Sequence, residues 1–568
     1  MKQQEAVAVV SRPCQTSTPS KHDAGGDGPS ARSAESPTRS PAHLVVFSLL
    51  LLVGISLSFR SWISTPMIRG WSSGEAASHD QRTYPPLTCP PANHSAAALY
   101  CPSSPPPPGP AWELPSQPAE LCPAYFRWIH EDLRPWARTG ITRDMVERAK
   151  EKADFRLVVI SGRAYVVKYR PTFQTRDLFT QWGILQLLRR HPGRVPDLDL
   201  MFQCGDLPVV KRADYPGDRV NTTAPPLFRY GSDDASVDVV FPDWSFWGWP
   251  EVNIKPWERL MEELKGANRR MRWVDREPHA FWRGNPWVAP WRQDLLKCNL
   301  SGGHDWHARL YVQDWGSEIK QGFKNSDLTS QCKHRYKIYI EGASWSVSDK
   351  YILACDSPTL RVEPRYHHFF SRGLEPLHHY WPVRSKAKCP DIKFAVEWGN
   401  THQKKAREIG KGGSRFVQKE LKMDYVYDYM LHLLTEYSKL LRFKPTKPPK
   451  AVELCQDLMA CPAKEREKEY MVQSMVKGPR SAGPCKLPPP FTPAEMSRLT
   501  AERANSTRQV QLWEQEKARI RGRKAKKEGN DNKIHPSDGH LEISAPRASL
   551  CIDPAREDQR AEEALYIP

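Results

Sequence analysis

The sequence predicts an α/β protein carried behind an N-terminal transmembrane helix, with a disordered stem and tail on either side of the folded body. Three observations lead there. From about Cys122 onward, short apolar runs of strand length alternate with stretches of helical period. Within that region His334–Val362 reads as a strand, a turn, a helix and a second strand, the repeating unit of a parallel sheet. Leu44–Phe59 runs sixteen residues without a charge, the one stretch of near-membrane length among the 568 residues.

From the N-terminus, residues 1–43 are rich in Ser, Pro, Gly and charge and read as a disordered cytosolic tail. The apolar run LVVFSLLLLVGISLSF covers about 24 Å as a helix against a hydrocarbon core of ~30 Å, and Trp62 and Ile63 extend the span to 44–63. A cleavable signal peptide has a shorter core and a small-residue cleavage pattern, so an uncleaved signal anchor is favoured. Arg32 and Arg39 before the span are balanced by Arg60 and Arg69 after it, so basic residues do not orient it. All four N-x-S/T sequons (Asn93, Asn221, Asn299, Asn505) follow the span, as do all but Cys14 of the thirteen cysteines. Both facts predict a lumenal body with glycans and disulfides, a single-pass type II arrangement. The terminal Leu-Tyr-Ile-Pro is not a KDEL-type signal, which favours the Golgi membrane over the endoplasmic reticulum.

Residues 64–121, with PPLTCPP and SSPPPPGP, form a Pro-rich stem expected to be polyproline II. The body is expected over 122–454 in two lobes that meet near residue 270. Phe155–Ile160 and Ala164–Tyr169 flank Ser-Gly-Arg as a hairpin, Leu198–Cys204 and Val237–Phe241 read as strands, and Pro256–Met271 reads as an amphipathic helix. In the second lobe strands are expected at His279–Trp282 and Ala308–Asp314, with a helix near Pro290–Cys298 between them. Tyr427, Met430, Leu431 and Leu434 make a helical stripe that reads as core. A Cys- and Pro-rich extension follows over 455–514, then a basic tail, 515–568, expected to be disordered. Seven of the net eighteen positive charges sit in Lys517–Lys527. The remainder is too dilute for a protein built to read a duplex, so no nucleic-acid partner is expected.

Several segments carry candidate chemistry. PDWSFWGWPEVNI (242–254) holds three tryptophans, and ten of the twenty lie between Trp244 and Trp315. Trp244, Phe246 and Trp247 are candidate acceptor or sugar contacts, because aromatic faces stack on sugar rings; a tryptophan-rich core is the equal alternative. Asp206 stands just past the end of the strand in LDLMFQCGD, a place suited to a general base, although a lone aspartate there is more often a turn residue. HAFWRGNPWVAPWRQD sets Arg283, Asn285 and Arg292 between a strand and a helix start, where guanidinium groups suit a diphosphate; a salt-bridged surface turn is the bland reading. The Gly342–Ser348 turn, with Ser346, lies at the carboxyl end of a strand, where open α/β sheets bind phosphates. Asp197-Leu-Asp199 matches a metal-binding pattern too short to be specific, and His367/His368 and His378/His379 lack ligand-like spacing. Lys411-Gly-Gly-Ser lacks the order of a P-loop.

With these residues in place, the chain resembles the Rumi-type protein O-glucosyltransferases and related capsule-associated proteins of glycosyltransferase family 90, in the plant branch. The resemblance runs over about Cys122–Leu454. It rests on LDLMFQCGD, FPDWSFWGWPE, AFWRGN, CKHRYKIYIEGASWSVSDKYILACDS and GSRFVQKELKMDYVYDYMLHLLTEYSKLL. It implies a GT-B-like pair of Rossmann lobes and transfer of a sugar from a UDP-sugar to a hydroxyl, with inversion and with neither a metal nor a cofactor. On that pattern Asp206, in Asp-Leu-Pro, is the base that deprotonates the acceptor. Arg292 holds the diphosphate, Asn285 replaces a donor-contacting serine, and Gly342–Ser348 is the donor turn. The Rumi-type enzymes have an arginine where this chain has Ser348; Lys350 is the expected substitute. That change leaves the sugar open, with glucose or xylose favoured, and the acceptor is expected to be a protein or polysaccharide. An inactive lumenal sugar-binding or scaffold protein of the same fold is the alternative, and a metal-dependent transferase using Asp197 and Asp199 is the third reading.

Overall fold

Runs of β-branched and aromatic residues build two large sheets, each with its own apolar cluster, and a third sheet of two short strands. The computed structural model describes residues 83–89, 101, 120–301 and 303–531. The cytosolic tail and anchor expected over 1–63, and Asn93, lie outside the described residues. Among the described residues, no helix is long and apolar enough to cross a membrane.

In the first lobe, β1 (Phe155–Ile160) and β2 (Arg163–Lys168) form the expected hairpin. Its two-residue loop places both Ser161 (φ 49°) and Gly162 (φ 76°) in the left-handed region, the twist that suits a tight hairpin. β3 (Leu198–Phe202) pairs antiparallel with β1, whereas β4 (Leu227–Arg229), β5 (Gly231–Ser232) and β6 (Val239–Val240) follow, with β4 and β6 joining β3 in parallel. The sheet is therefore mixed rather than all parallel, because a two-residue loop can join only antiparallel neighbours.

In the second lobe, β7 (Glu277–Gly284), β8 (Ala308–Val312), β9 (His334–Tyr339), β10 (Thr359–Val362) and β12 (Trp381–Val383) are all parallel, with β11 (His367–His368) lying between the last two in sequence. Their order in space is β8-β7-β9-β10-β12. This is a doubly wound sheet whose direction of winding reverses between β7 and β9, so a crevice opens at the carboxyl ends of those two strands. β11 pairs with β5, so His367 and His368 serve to join the lobes. β13 (Val452–Glu453) closes the edge of the first sheet beside β2.

Helix Met423–Leu440 buries Tyr427, Met430, Leu431 and Leu434 as its periodicity predicts, and Tyr437 Oη donates to the Asp199 carbonyl at 2.9 Å. The Gly-Gly-Ser run lies inside helix Gln403–Glu420. A Cβ on Gly412 would stand 2.0 Å from the His378 carbonyl oxygen, so glycine there allows helix and loop backbones to touch.

The flanks differ from expectation. Cys89 and Cys101, in the segment read as a free stem, are bonded to Cys461 and Cys455, and Cys122 is bonded to Cys485. Tyr84 also docks, donating through Oη to the Arg189 carbonyl at 2.7 Å. The described part of the stem is thus held against the body. The tail expected to be disordered from 515 is helical through Asp531, as part of one helix Pro493–Asp531. Its sequence lacks a long apolar stripe because a short one suffices: Trp513 stacks on Trp398 at 4.9 Å, and Lys517 and Arg521 pair with Glu397.

Among the sequons, Asn505 is exposed on this long helix, and Asn221 is half-buried in the short helix Arg219–Thr222. The Asn299 amide is engaged by the Leu310 backbone, accepting at 3.0 Å and donating at 3.2 Å, which makes it the least available of the three.

Candidate active site

β3 ends against Asp154, whose carboxylate accepts from Cys204 N at 2.7 Å, and the chain then turns outward through Gly205. Asp206 therefore emerges at the carboxyl end of the strand. Its side chain is 43% exposed, more open than its position after a buried strand suggests, and Oδ1 accepts from Arg176 Nη1 at 2.8 Å. Arg176 is buried, donates also to the Cys204 carbonyl at 3.1 Å, and lies 4.5 Å above the ring of Trp244. The ion pair fixes the direction of the carboxylate.

Across the crevice, Arg292 is buried on helix Pro290–Leu295 beneath the ends of β7 and β9. Nε donates to the Glu341 carbonyl at 2.8 Å, Nη1 to the Asn285 carbonyl at 3.2 Å, and Nη2 to the Ile340 carbonyl at 3.1 Å and Ser346 Oγ at 3.3 Å. None of these acceptors is a carboxylate. Burial lowers the pKa of Arg292, as expected for a cation held by neutral oxygens. The Glu341 carboxyl accepts from the backbone of Arg365 and Tyr366, and burial pushes its pKa up to about 7. Asn285 caps the turn at Trp287 N, Arg283 donates to the Asn325 carbonyl, and Ser346 Oγ lies 2.9 Å from Ser348 Oγ.

Asp206 and Arg176 from the first lobe share one cavity of about 930 Å³ with Arg283, Asn285, Arg292, Ser346 and Ser348 from the second. The two sides are also bonded. Ser344 Oγ, in the Gly342–Ser348 turn, donates to the Asp206 carbonyl at 2.7 Å. Gly342 stands outside the cavity; a Cβ there would lie 3.5 Å from Arg292 Nη2, an ordinary contact.

Four sequence-predicted contacts are corrected. Trp244, Phe246 and Trp247 are fully buried in the first-lobe core and do not line the cavity. Trp247 packs in the space left by Gly183, where a Cβ would come within 2.6 Å of its ring. Trp249, two residues further on, is the cavity residue of that segment. Lys350 does not replace the missing arginine: it is buried, and Nζ donates to Ser245 Oγ at 2.5 Å beside Asp243. Two residues along a helix turn the side chain by about 200°, so Lys350 and Ser348 cannot face the same way. Asp199 is likewise engaged, in a buried two-point pair with Arg156 at 2.8 and 2.6 Å, and Asp197 accepts from Ser161 N at 2.7 Å. Neither carboxylate faces the cavity.

Sequence reasoning missed Arg176, Ser344, Trp249 and Lys337. Lys337 forms part of the cavity wall, with Nζ 2.7 Å from Gln331 Oε1, and burial holds its pKa well below the usual lysine range. Ser344 and Trp249 lay within segments already singled out, whereas no local signal marked Arg176 or Lys337.

A carboxylate of one lobe and a buried arginine of the other, caged by neutral oxygens, thus line one cavity. Comparison with known proteins places the chain in a family. The model of glycosyl transferase family 90 matches residues 117–514, and the chain belongs to that family of glycosyltransferases. It is 28% identical over 339 residues to protein O-glucosyltransferase 1 of Bos taurus, covering 57% of this chain and 82% of that protein. The corresponding protein of Homo sapiens is 27% identical over 342 residues, covering 58% and 83%. O-glucosyltransferase rumi of Drosophila melanogaster is 23% identical over 345 residues, covering 57% and 78%.

Proposed function

We propose that this protein transfers a sugar from a UDP-sugar to a hydroxyl of a protein or polysaccharide, with inversion, without a metal, and with Asp206 as the base. The observation that carries this reading is the meeting of the two half-sites: Asp206, Arg292, Ser346 and Ser348 line one cavity, and Ser344 bonds the donor turn to the backbone of the base. In the proposed step Asp206 takes the acceptor proton while the acceptor oxygen attacks the anomeric carbon. The bond from that carbon to the diphosphate breaks on the opposite face, and Arg292 receives the charge that develops on UDP. Glucose is favoured because the relatives are named O-glucosyltransferases, and xylose is kept because Ser348 alters the donor turn. Asp197 and Asp199 act as structural groups. The five disulfides among the described residues, two of them between the stem and the extension and a third between the body and the extension, suit an oxidising lumen. With the apolar run at 44–63 as a type II anchor, they support a place on the lumenal side of the Golgi membrane.

Ser348 in place of an arginine favours one second reading, an inactive sugar-binding or scaffold protein. UDP release from a panel of UDP-sugars by the full-length protein in detergent, with and without EDTA, separates the readings. Release from one donor that survives EDTA supports the proposal. Loss of release on chelation points to a metal-dependent transferase, and absence of both release and UDP binding points to the scaffold.

A further inference from the structure

A second cavity, of about 330 Å³, opens beside the amino-terminal end of β7, away from the strand ends that form the active site. Its lining includes Asn268, Arg272, Arg276, Asp356, Arg407 and Lys411. Arg276 is 2% exposed. Nη1 donates to the Cys355 carbonyl and to Ser357 Oγ, the latter at 2.9 Å; Nη2 donates to Asn268 Oδ1 at 3.3 Å and to the Met271 carbonyl at 3.4 Å. All four acceptors are uncharged. This is the plan already met at Arg292: a buried guanidinium caged by neutral oxygens at the edge of a cavity.

The surrounding charges make the parallel closer. Helix Gln403–Glu420 presents Arg407 and Lys411 one turn apart, both exposed. Among the described residues neither has an ion-pair partner, whereas Arg272 pairs with Asp275 at 2.7 Å. Asp356, the carboxylate in the lining, accepts from Ser414 Oγ and forms no ion pair with Arg276 among the described residues. With Arg272 neutralised by Asp275, three cations face one carboxylate, leaving two positive charges uncompensated. Asp356 acts electrostatically on the buried Arg276, and an anion in this cavity would offset the two positive charges that remain.

We propose that this cavity is a second anion site, distinct from the donor cavity, which takes a phosphate monoester of a small molecule. Two uncompensated positive charges match a phosphate dianion, and arginine beside lysine is a common phosphate-binding pair. The volume lies at the low end of the roughly 300–1,000 Å³ typical of ligand pockets, enough for a phosphorylated monosaccharide, with Trp273 as an apolar wall.

The test uses full-length protein carrying one equivalent of UDP, so that the donor cavity is filled. Inorganic phosphate and glucose 6-phosphate are titrated by calorimetry at constant ionic strength, against an Arg407→Gln/Lys411→Gln double variant. Both substitutions are on the surface, so the fold is expected to survive, and an unchanged melting temperature checks it. Both probes are expected to bind the wild type with UDP present, and the double variant to bind them at least tenfold more weakly with UDP affinity within twofold. Four results overturn the proposal: no binding to the UDP-loaded wild type, equal binding by the variant, the same signal from chloride at matched ionic strength, or phosphate binding with exclusion of glucose 6-phosphate.

Discussion

Replacing Ser344 with alanine removes the hydroxyl that bonds the donor turn of one lobe to the carbonyl of Asp206 in the other. Ser344 is 1% exposed and its bond to the Asp206 oxygen is 2.7 Å long, so alanine leaves a shielded acceptor without that donor and adds almost no empty volume. A hydrogen bond of this kind contributes about 0.5–1.5 kcal/mol net, and an unsatisfied partner raises the loss to about 1–2 kcal/mol. If the bond sets how Asp206 approaches the donor, that energy appears in the chemical step as a fall in kcat of about 5- to 30-fold. In the proposed reading Arg292 binds the donor, and its four bonds do not involve Ser344, so the Kd for UDP should stay within twofold. Calorimetry with UDP and steady-state UDP release measure the two quantities separately. An unchanged kcat, or a loss confined to UDP affinity, refutes the argument that Ser344 couples base to donor.

Other substitutions probe the remaining parts of the site. Arg292→Lys keeps the charge but loses the planar fork, and at about 1.5–3 kcal/mol for bonds to charged groups it should weaken UDP binding about 10- to 100-fold in calorimetry. Trp249→Ala should lower turnover with little change in melting temperature, whereas Trp247→Ala, which vacates a core slot and breaks a 2.9 Å bond to Tyr427 Oη, should cost about 3–5 kcal/mol in denaturant unfolding. Glu341 has its pKa raised by burial from 4.5 to about 7, so the folded state binds this proton more tightly than the unfolded state. Its contribution is complete below pH 4.5 and disappears as pH rises through about 7, a change of about 3 kcal/mol at most. Glu341→Gln should therefore gain stability relative to wild type between pH 4.5 and 7.5 in unfolding titrations, and a constant difference would contradict the assignment.

Much of this arrangement was legible because periodicity and strand ends are local properties. The hairpin at Ser161-Gly162, the doubly wound unit around β9 and the buried stripe of helix Met423–Leu440 each follow from the pattern of a few consecutive residues. That Asp206, Arg292 and Ser346 would stand near strand ends and helix starts was also legible, and the three line one cavity. Which tryptophan faces a cavity was not legible, since Trp247 is set by its fit against Gly183, far away in sequence. Lys350 misled for a different reason: nearness in sequence ignores the rotation of the helix between it and Ser348. Helix Pro493–Asp531 was not foreseen in either the extension or the tail, because its contacts with the body include ion pairs from Lys517 and Arg521 to Glu397, which apolar periodicity does not register.

The central claim is that Asp206 acts on the acceptor while a separate set of residues binds the donor. Asp206→Asn keeps the shape of the side chain and its contact with Arg176 but cannot accept the acceptor proton, so it tests the claim most directly. UDP affinity should remain within threefold of wild type while UDP release from the preferred UDP-sugar falls by 100-fold or more. Release by the Asn variant at near wild-type rate would show that Asp206 is not the base.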